Sequence, residues 1–261
     1  MKSYTMKNDL LIPSIAWILL TVICITVILI GLKAALKRTD LEKEKQQRIF
    51  LTTAALILAW SILLLVLSYK GFFEDFSTLP PRPALVILFP LPVIFIIAFS
   101  KTGMQILKAI PPYWLVFMQT FRIVVELLLL MAFVNRLIPV QMTFEGRNFD
   151  ILTGIFALPV GYLLVRKKDF AQKLAIVFNI IGLLLLTNIL VIAVLSMPTP
   201  IRYFMNEPAN VIVGQFPFIL LPGVLVPIAY TMNILSLRQF LHKEKKIVES
   251  PSSSLIEIIK N

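Results

Sequence analysis

YWLVFMQTFRIVVELLLLMAF, residues 113–133, decides the class of this chain. About 20 residues at about 1.5 Å rise cover the roughly 30 Å core of a bilayer, so the run is long enough to span one. Arg122 and Glu126 sit in its middle. A charge at the centre of a membrane helix costs about 2.5–3.5 kcal/mol on insertion scales, so two meeting lipid alone would cost roughly 5–7 kcal/mol. They are therefore expected to face a protein interior or a wet cavity, and to pair with each other. Gln119, Arg122 and Glu126 are spaced i, i+3, i+7, which puts them within about 60° of one helical face. Seven apolar residues flank the trio on either side.

The rest of the chain agrees with that reading. Of its 261 residues, 58% are hydrophobic and 15% charged, with a mean hydropathy of +0.88. A soluble domain normally carries about 25% charged residues. The apolar runs are continuous and do not alternate with period two, which excludes a membrane β-barrel. The expected class is an all-α integral membrane protein. Seven spans are legible, at about 10–32, 50–69, 84–100, 113–135, 149–165, 173–196 and 211–237. Residues 1–237 form one transmembrane domain on this reading, and 238–261 a basic, partly disordered tail. The first span is longer than a signal-peptide core and lacks a small-x-small cleavage site, so it is expected to remain.

Basic residues orient the spans. Seventeen of the 25 Lys and Arg residues fall between spans one and two, three and four, five and six, or in the tail, and seven fall on the other side. The positive-inside bias then places the N-terminus outside and the C-terminus in the cytoplasm. The net charge of +11 is explained by this placement and not by a nucleic-acid partner. A bacterial inner membrane is the expected location. The basic tail segment RQFLHKEKK is expected to lie on anionic lipid at the cytoplasmic face. SPSSS, residues 250–254, reads as a flexible linker before the apolar patch LIEII.

Short matches recur at near-constant offsets. Leu-Ile-Pro occurs at 11–13 and 137–139, Leu-Ser at 67–68 and 195–196, and Phe-Pro at 89–90 and 216–217. Such spacing is what a duplication of a three-span unit leaves, giving a 3-1-3 layout. The layout is similar in topology to that of the SWEET sugar transporters. Their Pro-Gln-type motifs are absent from spans one and five, so the similarity stops at topology. Spans three and seven, LVILFPLPVIFI and FPFILLPGVLVPIAY, are both broken by proline, which removes a backbone donor and kinks a helix.

Candidate site residues follow from polarity inside the spans. Glu126 is a candidate proton carrier, and Arg122 offers a planar fork suited to a carboxylate or phosphate. Asn179 and Gly182 share a face of span six, and Gln215, Tyr230 and Asn233 a face of span seven if it is straight. Each polar group serves equally as interhelical glue. Glu145, Arg147, Asp150, Arg202 and Glu207 are expected to line an outward mouth over span four.

Several chemistries find no residues. Cys24 is the only cysteine and sits in an apolar run, so neither a disulfide framework nor a CxxC metal site is expected. His242 is the only histidine, which argues against HExxH zinc chemistry, bis-histidine haem and a Ser-His-Asp triad. No enzyme activity, cofactor or metal is expected. A retinal Schiff base would need a lysine in 211–237, and there is none. The function classes left are a transporter or channel for a small solute or ion, proton coupling included, and a non-transporting sensor or accessory subunit. The second class calls for a protein partner or homo-oligomer.

Overall fold

The structure is a computed structural model that describes the backbone of residues 8–259 and the side chains of residues 11–242. Among the described residues it is all helical, without strands. The helices are α1 (Asn8–Leu36), α2 (Lys43–Tyr69), α3 (Arg82–Leu88), α4 (Pro90–Phe99), α5 (Lys101–Ala109), α6 (Pro112–Met118), α7 (Phe121–Val134), α8 (Ile151–Val165), α9 (Ala171–Leu195) and α10 (Val226–Ile259).

Among the described residues, six stretches are long and apolar enough to cross a membrane: Leu11–Leu36, Lys43–Tyr69, Arg82–Phe99, Pro112–Val134, Ala171–Leu195 and Leu221–His242. The protein is thus a multi-pass helical membrane protein. The span expected at 149–165 is realised as α8, a helix of 15 residues. At about 1.5 Å per residue it reaches only about 22 Å, short of a bilayer core.

Proline punctuates the paired helices. Pro90 lacks an N–H, and the chain turns at Phe89 between α3 and α4 before continuing as one apolar rod. Ser100 stops that rod and starts α5, its hydroxyl accepting from the Gly103 N–H at 2.8 Å. α5 is amphipathic: Leu107 is buried while Lys101, Gln105 and Lys108 are exposed.

Span seven begins later than the sequence predicts. Residues 212–214 form a single 3-10 turn, and Gln215 is extended at φ −89°, ψ 153°. A π-type turn over Leu221–Leu225 leads into α10. Pro217 and Pro222 cannot donate to a helical ladder, which is why the segment stays irregular where a straight helix is expected. Gln215 consequently lies off the helix that carries Tyr230 and Asn233. Farther on, the backbone of α10 stays helical to Ile259, through the segment expected to be a flexible linker. The basic tail side chains expected to meet lipid (Lys243, Lys245, Lys246) and the LIEII patch lie outside the described side chains.

The core is a packed unit of α6–α7, α8, α9 and α10, with α1 against α7 and α2 against α1. The largest apolar cluster joins Trp17 of α1, Leu129 of α7, Leu186 of α9 and Ala229 of α10 to Ile138, Met142 and Ile212 of the connecting loops. The loop after α7 packs on α9 and its end: Gln141 donates to Ser196 Oγ at 3.0 Å, and Asn188 of α9 to the Arg147 carbonyl at 2.9 Å. The two Leu-Ile-Pro matches fall in unlike settings, one inside α1 and one in the loop after α7.

Candidate functional site

The α6–α7 span is interrupted beneath its charges. The N–H groups of Gln119, Thr120, Arg122 and Ile123 each bond the carbonyl three residues back, at 3.0–3.1 Å. The Thr120 hydroxyl donates to the Phe117 carbonyl at 2.8 Å, a local bond that competes with the helical ladder. Such a tightened turn brings side chains at i and i+3 into line, so Gln119 and Arg122 stack on one side of the span. Gln119, Arg122 and Glu126 are all buried, at 0%, 1% and 1% exposure.

Arg122 and Glu126 do not pair with each other. The guanidinium Nη1 meets Asp150 Oδ1 at 2.8 Å, with side-chain exposures of 2% and 6%, and has a longer contact to the Gly182 carbonyl at 3.4 Å. Both Glu126 oxygens accept from Asn148 Nδ2 at 2.7 Å. Asn148 in turn accepts from the Asp150 N–H at 3.1 Å and donates to the Met142 carbonyl at 3.1 Å. The sequence expectation is therefore corrected on two counts: Asp150 belongs to the buried site and not to an outer mouth, and it is the counter-ion of Arg122. The reason is that the loop after α7 folds inward before α8. Asp150 stands immediately before the first residue of α8, where the exposed N–H groups of a helix start favour an anion.

Close helix approach makes this geometry reachable. A Cβ on Gly154 of α8 would come within 2.6 Å of the Ile123 side chain and 2.9 Å of its backbone nitrogen. A Cβ on Gly182 of α9 would come within 3.0 Å of both Asn233 Oδ1 and Thr153 Cγ2. With no side chain there, the Gly182 carbonyl reaches Arg122, and α8, α9 and α10 close around one point.

The other predicted residues divide. Asn233 is buried near that point, its amide donating to the Ala229 carbonyl at 3.2 Å. Asn179 is buried and donates to Ala175 O at 2.6 Å and Ser236 Oγ at 2.9 Å, joining α9 to α10 as glue. The Tyr230 hydroxyl meets Thr187 Oγ1 at 3.0 Å. Gln215 is half-buried and off the helix. Glu145 and Arg147 are exposed, and the Arg147 guanidinium lies 5.3 Å from the Phe204 ring centroid. Arg202 bonds Glu207 at 3.0 Å and the carbonyls of Phe204 and Asn206, bracing its own loop. In the loop before α3, the Ser77 hydroxyl and N–H donate to Asp75 and hold its carboxyl below the usual range, with Arg82 at 2.8 Å adding to this.

Asn148 and Thr153 were not legible as site residues. The available signal is Asn-Phe-Asp at 148–150, two polar side chains flanking one apolar residue at the head of a span.

Residues 82–241 match the family described as Domain of unknown function (DUF8737). The chain belongs to this family. The match starts at the first residue of α3 and takes in the whole charged site, leaving out α1 and α2. No curated protein and no solved structure matches the chain.

Within this DUF8737 unit the site can do two things chemically. It sets one guanidinium against two carboxyls, so full ionisation leaves one negative charge that a proton or cation must balance. It also holds polar atoms without hydrogen-bond partners among the described residues: both amide atoms of Gln119, Nε and Nη2 of Arg122, and Asn233 Oδ1.

Proposed function

We propose that this protein is a transporter of a small solute across a bacterial inner membrane, with proton movement at Glu126. It crosses the membrane seven times, N-terminus outside, and α8 serves as a short span seated within the bundle. The observation that carries the reading is the buried Arg122–Asp150 pair beside Glu126, two carboxyls to one guanidinium, all three buried. Ionisable side chains inside a membrane domain mark solute and proton paths, because their burial is otherwise costly. Asn148 and Asp150 reach the two α7 charges from the loop that covers them, so a change of charge at the site acts directly on that loop. The 17-to-7 division of Lys and Arg supports the orientation.

Proteoliposomes carrying the purified protein and an internal pH dye test this. Proton flux driven by an imposed solute gradient is expected in the wild type and absent in Glu126→Gln of equal melting temperature. A wild type as tight as protein-free liposomes across a panel of amino acids, sugars and organic acids would remove the transport reading.

A further inference from the structure

The use that Arg122 makes of its five N–H donors is lopsided. Nη1 takes both protein contacts, to Asp150 and to the Gly182 carbonyl. Nε and Nη2, which form the other edge of the planar fork, have no partner among the described residues. Gln119, in line with Arg122 across the tightened turn, leaves both its amide nitrogen and its oxygen unpartnered at 0% exposure. Asn233 Oδ1 is unpartnered as well, and it lies with the Thr153 methyl group at Gly182, whose carbonyl Arg122 touches. Burying such groups without partners is costly, more so when they are charged. One unpartnered atom is a packing accident, whereas five on two packed spans, two on the guanidinium itself and three on Gln119 and Asn233, make a set of donors and acceptors.

We propose that the free Nε–Nη2 edge of Arg122 and the Gln119 amide bind the carboxylate of a small organic acid, with Asn233 reading its polar substituent. This rests on the transport reading and names its substrate class. A guanidinium edge matches two carboxylate oxygens in parallel, and Gln119 adds a third N–H donor. A monovalent carboxylate fits better than phosphate, because Asp150 already occupies the other edge and a second charge on the ligand would meet that carboxylate and Glu126. The ionisable groups that face the guanidinium are Asp150 from the head of α8, Glu126 from α7 and Tyr230 from α10; the buried residues of α9 include none. An added anion in so buried a setting must be balanced, since an uncompensated buried charge costs several kcal/mol. The ligand therefore enters with a proton.

Titration calorimetry of the detergent-purified full chain with propionate and lactate, in two buffers of different ionisation enthalpy, tests this without any flux. Expected are saturable binding, uptake of about one proton per ligand, and no binding of propionamide. Gln119→Leu is expected to weaken binding about tenfold, as loss of a hydrogen bond to a charged group does. Arg122→Lys, which keeps the charge and loses the fork, is expected to weaken it further. Binding of inorganic phosphate as tight as that of lactate, or equal binding of propionamide, would overturn the assignment. So would absence of binding in a wild type that still moves protons through Glu126, and the transport reading would then stand alone. Carboxylate binding in a protein without flux would do the reverse, keeping the site and removing transport.

Discussion

α2 and the α6–α7 span are both apolar enough to cross a membrane, yet only 11% of the α2 window is buried in the protein against 56% for α6–α7. The polar groups that α2 turns to the bundle are satisfied: Ser61 bonds the Ile57 carbonyl at 2.8 Å, Trp60 the Gly223 carbonyl at 2.8 Å and Ser68 the Gly214 carbonyl at 2.9 Å. Those of the α7–α10 unit are not, and they include two carboxyls and a guanidinium. Hydropathy is blind to this difference. A peripheral helix needs lipid on most of its surface and has little reason to hold unsatisfied groups. A central one carries whatever chemistry the bundle has, and the family match covers the central unit and omits α1 and α2.

The largest expected effect breaks the comparison at its centre. Arg122→Ala leaves Asp150 buried without a partner, and a loss of about 3–5 kcal/mol is expected in reversible unfolding in mixed micelles. The double replacement Arg122→Met with Asp150→Leu removes both charges, and it is expected to recover most of that loss while abolishing function. If the single replacement unfolds no more easily than the wild type, the pair is not closed in the membrane.

Next in size is Asn148→Leu. It removes the side-chain donor to Glu126, and a loss of about 1.5–3 kcal/mol is expected, read as a lowered melting temperature. Gly182→Ala should cost about 1–3 kcal/mol, since its Cβ would press on Asn233 and Thr153 across three helices. Trp60→Phe should cost about 1 kcal/mol, one net hydrogen bond on the α2 side. Leu56→Ala, at a side chain 62% exposed toward lipid, should change the melting midpoint by an equivalent of at most about 0.5 kcal/mol. A loss there as large as that of Gly182→Ala would show that α2 is covered by another protein surface and would undo the contrast.

Much of the class was legible in the chain, because spans announce themselves by length and apolarity alone. Residues 113–133 marked both a span and its charges, and the trio Gln119, Arg122 and Glu126 does lie buried together. Partners were less legible. The i, i+4 spacing of Arg122 and Glu126 permits pairing, but Asp150 lies 28 residues from Arg122 in sequence and still holds it. Gln215 was misplaced for a related reason. An 18-residue separation from Asn233 means one helical face only where the helix is continuous, and Pro217 and Pro222 interrupt it.

By itself, then, the sequence determined the solvent of this protein and the burial of Arg122 and Glu126. Burying backbone in lipid requires helices of bilayer length, and that demand is written locally in composition. Only the tertiary structure decided which carboxyl answers the guanidinium, which loop closes over the pair and which edge of Arg122 stays free. Those choices depend on how closely α7, α8 and α9 approach at Gly154 and Gly182, and a contact between distant segments leaves no periodicity to read.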